Sequence, residues 1–377
     1  MHRWTNACPD HCFVLSFALT KVYWYELDTL GLLAGNPCGI SVSTGGGAVP
    51  DSAISSFTDP GEYQDAVRAS RVEIFVNQPG TFKANLMRID LHRLWMQRGE
   101  QTLGVVYHYS LDRNRSPIFF LDDDQEAPIH IRRMDVSPGE ILFPASGADE
   151  YHRSFAGCRW RSMSLTPEDL AAAGRAIAGY DLVPPTDLSR IRPPPELLAR
   201  LLSLHKVTGQ LAATVPDILA HPEVARALEQ KLVHMMVRCL TDGVAPKPDH
   251  HRHNRVSVMR KFEQVLKDNP DDPLHIPEIC AAIGVADRTL RLHCMENLGM
   301  SPHRYLWLRR MNLARRALAL ADPATTTVTE IATGQGFGEL GRFALAYRRL
   351  FGESPSATLR SSPRLVTPHP ALDVSIG

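Results

Sequence analysis

Two short stretches in the last third of the chain place side chains suited to reading the edges of DNA bases. Arg288, Thr289, Arg291 and Leu292 fall on one predicted helical face, and Glu339, Leu340, Arg342 and Leu345 lie near the start of another helix about fifty residues on. An arginine fork bonds O6 and N7 of guanine together, threonine suits a phosphate oxygen, and leucine meets only the methyl group of thymine. The polar groups are concentrated in the first set, which is therefore expected to supply most direct readout. In the second set only Glu339 and Arg342 are polar, so positioning and apolar contact are expected there.

Each set needs a helix-turn-helix to present it. The first unit opens at Pro277 and Glu278, an order that suits a helix N-terminus because proline lacks an N–H and the helix dipole favours an acid. That helix runs to Ile283, Gly284 supplies the turn, and Asp287 is placed to cap a second helix. Leu290, Cys294 and Leu298 then recur at helical spacing and predict its buried face, with Arg288, Thr289, Arg291, Leu292 and Met295 opposite. The second unit begins with the capping box Thr327-Val328-Thr329-Glu330 and turns through 334–338. It continues as a helix from about Glu339 to Phe351, with Leu340, Phe343, Tyr347, Leu350 and Phe351 as its apolar stripe. Between the units a basic helix buries Tyr305, Leu306, Leu313, Ala314 and Ala317 and carries Arg304, Arg309, Arg310, Arg315 and Arg316. Taken singly, Arg309, Arg315 and Arg316 read as solvated. Recognition helices held roughly 34 Å apart enter neighbouring major-groove segments, so one chain can read a bipartite site.

The stretch GMSPHRYLWLRRMNLARRAL, followed by VTEIATGQGFGELGRF and AYRRLFGESPSATLR, resembles the AraC/XylS-type bacterial transcriptional regulators from Val256 to Arg360. The resemblance implies base-reading roles for Arg288 and Arg291 and a phosphate role for Thr289. The chain departs from the family at Leu292 and Leu345, where an arginine is common, so its helices read fewer polar edges. It further implies an N-terminal domain that senses a small molecule or dimerises, and a contact with RNA polymerase where the protein activates.

Charge agrees with this division. The 377 residues carry no formal net charge, but 251–360 hold 16 Lys+Arg against 11 Asp+Glu, and the remainder has the opposite imbalance. The basic part is the part expected to meet phosphate. Seven scattered cysteines, Cys280 and Cys294 reading as core residues, fit a reduced, cytoplasmic protein better than a disulfide-stapled one. The segment Cys8-Pro9-Asp10-His11-Cys12 lacks the second ligand pair of a zinc site. The apolar run 12–20 is too short for a membrane span, and 45–50 reads as a flexible join.

From Phe57 to about Leu165 short apolar or alternating runs (72–76, 86–91, 103–109, 118–121, 129–131, 141–143) separated by turns predict an antiparallel sandwich or barrel. The segment Ser137 to Pro144 resembles a cupin-like turn and strand. Phe75, Trp95, Tyr107, Phe119 and Phe143 are candidates to line a pocket, though each reads individually as core. Helices are expected over 167–178, 196–213 and 222–240. Leu197, Leu198, Leu201, Leu202 and His205 make one stripe, and Val224, Leu228, Leu232, Met235, Met236 and Cys239 another, either packed together or forming a dimer contact. The fold class is thus multidomain α+β: an extension over 1–50, a cupin-like β domain over 51–165, a helical connector over 166–242, a linker over 243–254, an all-α tandem helix-turn-helix domain over 255–360 and a tail over 361–377. A metal-dependent cupin enzyme would require clustered histidines, whereas His108, His130 and His152 stand apart in sequence and Asp122-Asp123-Asp124 reads as a solvated loop. No Gly-x-Ser-x-Gly elbow or phosphate-binding loop occurs, and no metal or cofactor is expected. The chief rivals to a specific regulator are such an enzyme and a sequence-tolerant architectural DNA binder, whose affinity depends on salt but hardly on sequence.

Overall fold

The computed structural model describes residues 51–132, 134–244, 253–269 and 274–361. The cysteine cluster, the apolar run and the glycine-rich join expected in the first fifty residues lie outside these, as do most of the linker and the tail.

Two antiparallel sheets form the N-terminal half. Strands β1 (Asp51–Phe57), β2 (Ser70–Val76), β3 (Ala84–Leu91), β4 (Leu94–Gln101), β5 (Val105–Leu111), β6 (Ser116–Leu121), β7 (Ile129–Ile131), β8 (Met134–Val136), β9 (Ile141–Phe143), β10 (Asp149–Ser154), β11 (Cys158–Leu165) and β12 (Ser189–Ile191) follow in chain order. One sheet is ordered β1-β3-β4-β11-β6-β9-β12 and the other β2-β5-β10-β7-β8. Helix α1 (Pro60–Ala66) joins β1 to β2, with the Asp59 carboxylate accepting from the Gly61 and Glu62 N–H groups at its N-terminus.

Three of the strands that alternation leaves unread, β4, β10 and β11, turn polar side chains inward and satisfy them there. Gln97 bridges the backbone of Arg68 on both sides and reaches Ser162. Asp122, expected in a solvated loop, is instead buried, and it pairs with Arg161 and with Arg98. A buried carboxylate persists only with such partners.

Helices α2 (Pro167–Ala178), α3 (Pro195–Thr214), α4 (Pro216–Leu219) and α5 (Pro222–Thr241) form the connector. Proline in the first turn starts each one, where its missing donor costs nothing. The expected stripe on α3 is centred one position later, on Leu198, Leu201, Leu204 and His205, with Leu197 and Leu202 half-buried. Helices α3 and α5 pack on each other and on β3. Glu229 of α5, fully buried, accepts from the Arg93 and Leu94 N–H groups and from Arg93 Nε at 3.0 Å, which fastens the connector to the β3–β4 turn. His205 stacks edge-on against Phe120, and burial pushes its imidazole down to about 3, so it is neutral.

Among the described residues seven helices follow: α6 (His253–Asp268), α7 (Ile276–Ile283), α8 (Asp287–Leu298), α9 (Pro302–Leu320), α10 (Val328–Gly334), α11 (Leu340–Phe351) and α12 (Pro355–Ser361). The architecture is therefore α+β, an antiparallel β region joined by helices to an all-helical region. The described residues form one compact unit. One apolar core runs through both halves, with Phe75 and Tyr151 of the sheet meeting the Tyr305 ring of α9 edge-on, centroids 5.8 and 5.9 Å apart. No helix among the described residues is long and apolar enough to cross a membrane.

Candidate nucleic-acid interface

Helices α7 and α8 make the first unit. Glu278 accepts from the His275 N–H at 2.7 Å and closes the start of α7, and Gly284 ends it in the left-handed region at φ 71°. Asp287 does not cap α8. Ala286 holds that position, and Asp287, one residue inside, binds Arg291 Nε at 3.1 Å along the same face. Leu290, Cys294 and Leu298 are buried, while Arg288, Arg291, Leu292 and Met295 are exposed and Thr289 is half-buried. An exposed pair spaced i, i+4 contributes about 0.3–0.5 kcal/mol, so the Arg291 guanidinium exchanges Asp287 for another partner at little cost.

In the second unit the Thr327 Oγ1 accepts from the Glu330 N–H at 3.2 Å and Glu330 accepts from the Thr327 N–H at 2.8 Å, the reciprocal capping box. Rings of Phe337, Phe343, Tyr347 and Phe351 stack in succession, and the Tyr347 hydroxyl meets Thr358 Oγ1 at 2.8 Å, which holds α11 against α12. Leu340, expected in the buried stripe, is 37% exposed and stands outward with Leu345, since the burial face begins only at Phe343. Arg342 bonds Glu339 at 3.0 Å within its own helix turn.

Helix α9, expected as a basic spacer with solvated arginines, is instead the element that the β region grips. Arg309 is buried and bonds Glu263 at 2.9 Å and Glu73 at 3.2 Å. Arg315 bonds Asp59 at 2.6 Å and Glu353 at 3.2 Å, and Arg316 bonds Asp65 at 3.0 Å. Asn312 pairs with both backbone groups of Val76, accepting from its N–H at 3.0 Å and donating to its carbonyl at 3.3 Å. The carboxylates that neutralise Arg309 and Arg315, whose side chains are largely buried, withdraw them from phosphate contact.

Both recognition helices are also held at their C-terminal ends. Arg153 donates to the Leu298 and Gly299 carbonyls at 3.3 and 2.7 Å, and His130 Nε2 lies 3.2 Å from the Glu296 carbonyl. A cation is favourable at that end of a helix dipole. The Gly80 N–H donates to the Leu350 carbonyl of α11 at 3.2 Å. The ends facing away from these anchors carry Arg288 and Arg291 on α8, and Arg342 on α11.

Beneath α9 lies a charged cluster. His108 is 2.6 Å from Asp149 and within 3.7 Å of Glu73 and Glu263; Lys267 reaches Asp149 at 3.5 Å, and the Tyr151 hydroxyl donates to Glu263. Burial by itself would push the imidazole down, but the hydrogen bonds to Asp149 and Glu73 outweigh it and lift His108 to about 9. Burial raises Glu73, yet His108 and Arg309 hold it down at about 2. Glu73, His108 and Glu263 converge closely enough to resemble a cation site. The Arg309 guanidinium is already bonded to both carboxylates, so these residues do not fit a metal ion.

On the other side of the same strands lies a cavity of about 70 Å³, lined from both sheets by residues including Val72, Tyr107, Tyr109, Phe119, His152 and Trp160. Tyr107 and Phe119 were anticipated here. Phe75, Trp95 and Phe143 are elsewhere: Phe75 packs on α9, Trp95 lies under the Arg115 guanidinium at 4.0 Å, and Phe143 is buried outside the lining. Burial pushes His152 down to about 3, so its ring is neutral, and its Nε2 meets no protein partner. Side chains alternate along a strand. On β5, Tyr107 and Tyr109 therefore face the cavity while His108 faces α6 and α9, and on β10 His152 and Tyr151 divide in the same way.

The clamp on α9 was missed by sequence reasoning, because its acids come from β2, from α1 and the turn before it and from α6, and no local spacing links them to Arg309, Arg315 or Arg316. Its only sequence trace was a run of arginines on a helix that also carried the apolar stripe.

The family described as "Helix-turn-helix domain" matches residues 279–361. The chain is 34% identical over 174 residues to the "Probable thc operon regulatory protein" of Rhodococcus erythropolis, covering 43% of this chain and 52% of that protein. It is 33% identical over 158 residues to the "HTH-type transcriptional activator RhaS" of Yersinia pestis, covering 40% of this chain and 56% of that one. The matches thus span about half the length of these relatives. Among solved structures, a probable AraC family transcriptional regulator from Rhodopseudomonas palustris is 34% identical, with a TM-score of 0.25, covering 28% of this chain and 96% of that one. The similarities are to transcriptional regulators, and with two helix-turn-helix units behind an antiparallel β region the chain is similar to regulators of the AraC/XylS type.

Proposed function

We propose that the chain is a sequence-specific transcriptional regulator that reads a bipartite site in double-stranded DNA, with a β domain over 51–165 that senses a small molecule, a helical connector over 166–242 and a DNA-binding domain over 255–360. The observation that carries this reading is the outward presentation of Arg288, Arg291 and Leu292 on a helix whose opposite face and C-terminal end are both anchored. Arg288 and Arg291 read guanine, Thr289 touches phosphate, and Glu339, Leu340, Arg342 and Leu345 face the second half of the site. A cytoplasmic location, a homodimer contact through the connector and a contact with RNA polymerase accompany the reading.

The cavity supports the sensing role and the strand alternation supports its coupling. A ligand beside Tyr107 and His152 displaces β5 and β10, the strands whose opposite faces hold His108 and Tyr151 against α6 and α9. Ligand binding then shifts the equilibrium between clamped and released arrangements of the two units by as much as it prefers one of them.

Selection of bound fragments from the source genome by the purified protein at physiological salt tests the reading. The expected result is a bipartite motif with halves about one helical turn apart. An Arg288→Ala, Arg291→Ala double variant should weaken binding at least tenfold, since each bidentate arginine contributes about 1–3 kcal/mol of discrimination. Binding that differs less than a hundredfold between selected and random DNA overturns specificity and leaves an architectural binder.

A further inference from the structure

The outward face of α11 sets Leu340, Gly341 and Leu345 among the exposed Arg342, Arg348 and Arg349 and carries a glycine that its own fold does not require. Leu340 and Leu345 are 37% and 54% exposed, and the two polar residues at its start, Glu339 and Arg342, bond each other. Gly341 lies in the first helical turn, has no positive φ, and a Cβ added there meets no atom within 4 Å. Glycine weakens a helix relative to alanine, and neither backbone strain nor internal packing explains it here. Gly341, Leu345 and Arg348 follow at i, i+4 and i+7, so a strip without a side chain at one end runs up the solvent face beside Leu340 and Ala344. Arg348 and Arg349 in the last turn place positive charge at its far end. On α8 the outward face differs, because Arg288 and Arg291 stand there with Leu292 and Met295.

We propose that the two halves of the DNA site are read by different chemistry, and that α11 recognises the C5 methyl groups of thymines in the second half. Leu340 and Leu345 pack against the methyls, and Gly341 lets the helix backbone approach the groove floor. The thymine methyl is the apolar group that the major groove displays, so an apolar face opposed to a polyanion finds its complement there. Arg348 and Arg349 supply the phosphate contacts that hold the helix in place. The inference rests on the DNA-binding reading and specifies the substrate of its second unit.

The test removes the methyls alone. A site is selected from a randomised duplex pool with the full chain, then resynthesised with deoxyuridine in place of thymidine in one half at a time. Deoxyuridine in the second half is expected to weaken binding about fourfold for each methyl contacted, the value of one buried methylene group. A Leu340→Ala, Leu345→Ala double variant should bind the two DNAs alike in that half, and both side chains are exposed, so the variant folds. Gly341→Ala should raise the unfolding midpoint and weaken DNA binding, an opposition that a purely structural glycine does not produce. A selected second half without thymine, or equal affinity for thymidine and deoxyuridine, overturns the proposal while leaving DNA binding intact and points to a protein partner for this face. Failure to enrich any sequence overturns the DNA-binding reading as well.

Discussion

His108 keeps a positive charge inside the protein because Asp149, Glu73 and Glu263 surround it, while Lys267 and Arg309 balance the excess of acid and Tyr151 and Tyr305 close the cluster. Its folded value of about 9 exceeds the ordinary 6.5. The stability it contributes is therefore fully present below about 6.5 and is lost as pH rises through about 9. Glu73, held at about 2 against an ordinary 4.5, contributes stability that is lost as pH falls through that lower range. The unfolding midpoint followed by calorimetry should fall between pH 6.5 and 9, and His108→Gln should flatten that limb. An unchanged slope in the variant would assign the titration elsewhere. Removing Arg309 takes the hydrogen-bonding cation from two carboxylates, one of them fully buried, and leaves only His108 near both, so Arg309→Ala should cost about 3 kcal/mol in urea unfolding.

At the level of elements, each helix-turn-helix unit opens with a glutamate that accepts from the N–H of the residue before its first helix, whereas the recognition helix α8 starts without a side-chain cap. In the second, Thr327 and Glu330 satisfy each other's backbone groups, and Thr327→Ala should cost about 1 kcal/mol. In the first, Asp287 serves the side chain of Arg291 rather than a helix N–H, so Asp287→Ala should cost less, under about 1 kcal/mol. Urea midpoints of the two variants order these costs, and the reverse order would restore Asp287 as a cap. The same change frees Arg291, so DNA affinity should not fall with stability.

Across the whole molecule, the β region touches every part of the DNA-binding half that determines where its two reading faces point. Arg153 holds the end of α8, Gly80 the end of α11, and Glu73, Asp59 and Asp65 hold α9 between them. Under the sensing role proposed above, a ligand on the other face of β5 and β10 acts on the angle between units rather than on either surface. Arg153→Ala together with Arg315→Ala should loosen that angle, so the variant discriminates less between binding sites whose halves are one base pair closer or farther apart. Equal discrimination by variant and parent in gel-shift titrations would show that the spacing is set within the helical half itself.

The sequence by itself determined the second unit's cap, the glycine that ends α7, the buried stripe of α8 and its outward residues Arg288, Arg291 and Leu292, because each depends on neighbours three to five residues away and on the helical period. It also marked the β strands whose apolar residues alternate or run together. Only the tertiary structure decided the rest. Arg309 meets Glu73 across 236 residues of chain, and Arg315 meets Asp59 across 256. Ion pairs of that reach have no period and no local spacing. The inward polar residues of β4, β10 and β11 likewise look like surface until their partners are brought to them. Leu340 shows the same limit from the opposite side: its hydrophobicity is plain in the sequence, but whether it fills the core or faces solvent depends on where the helix docks.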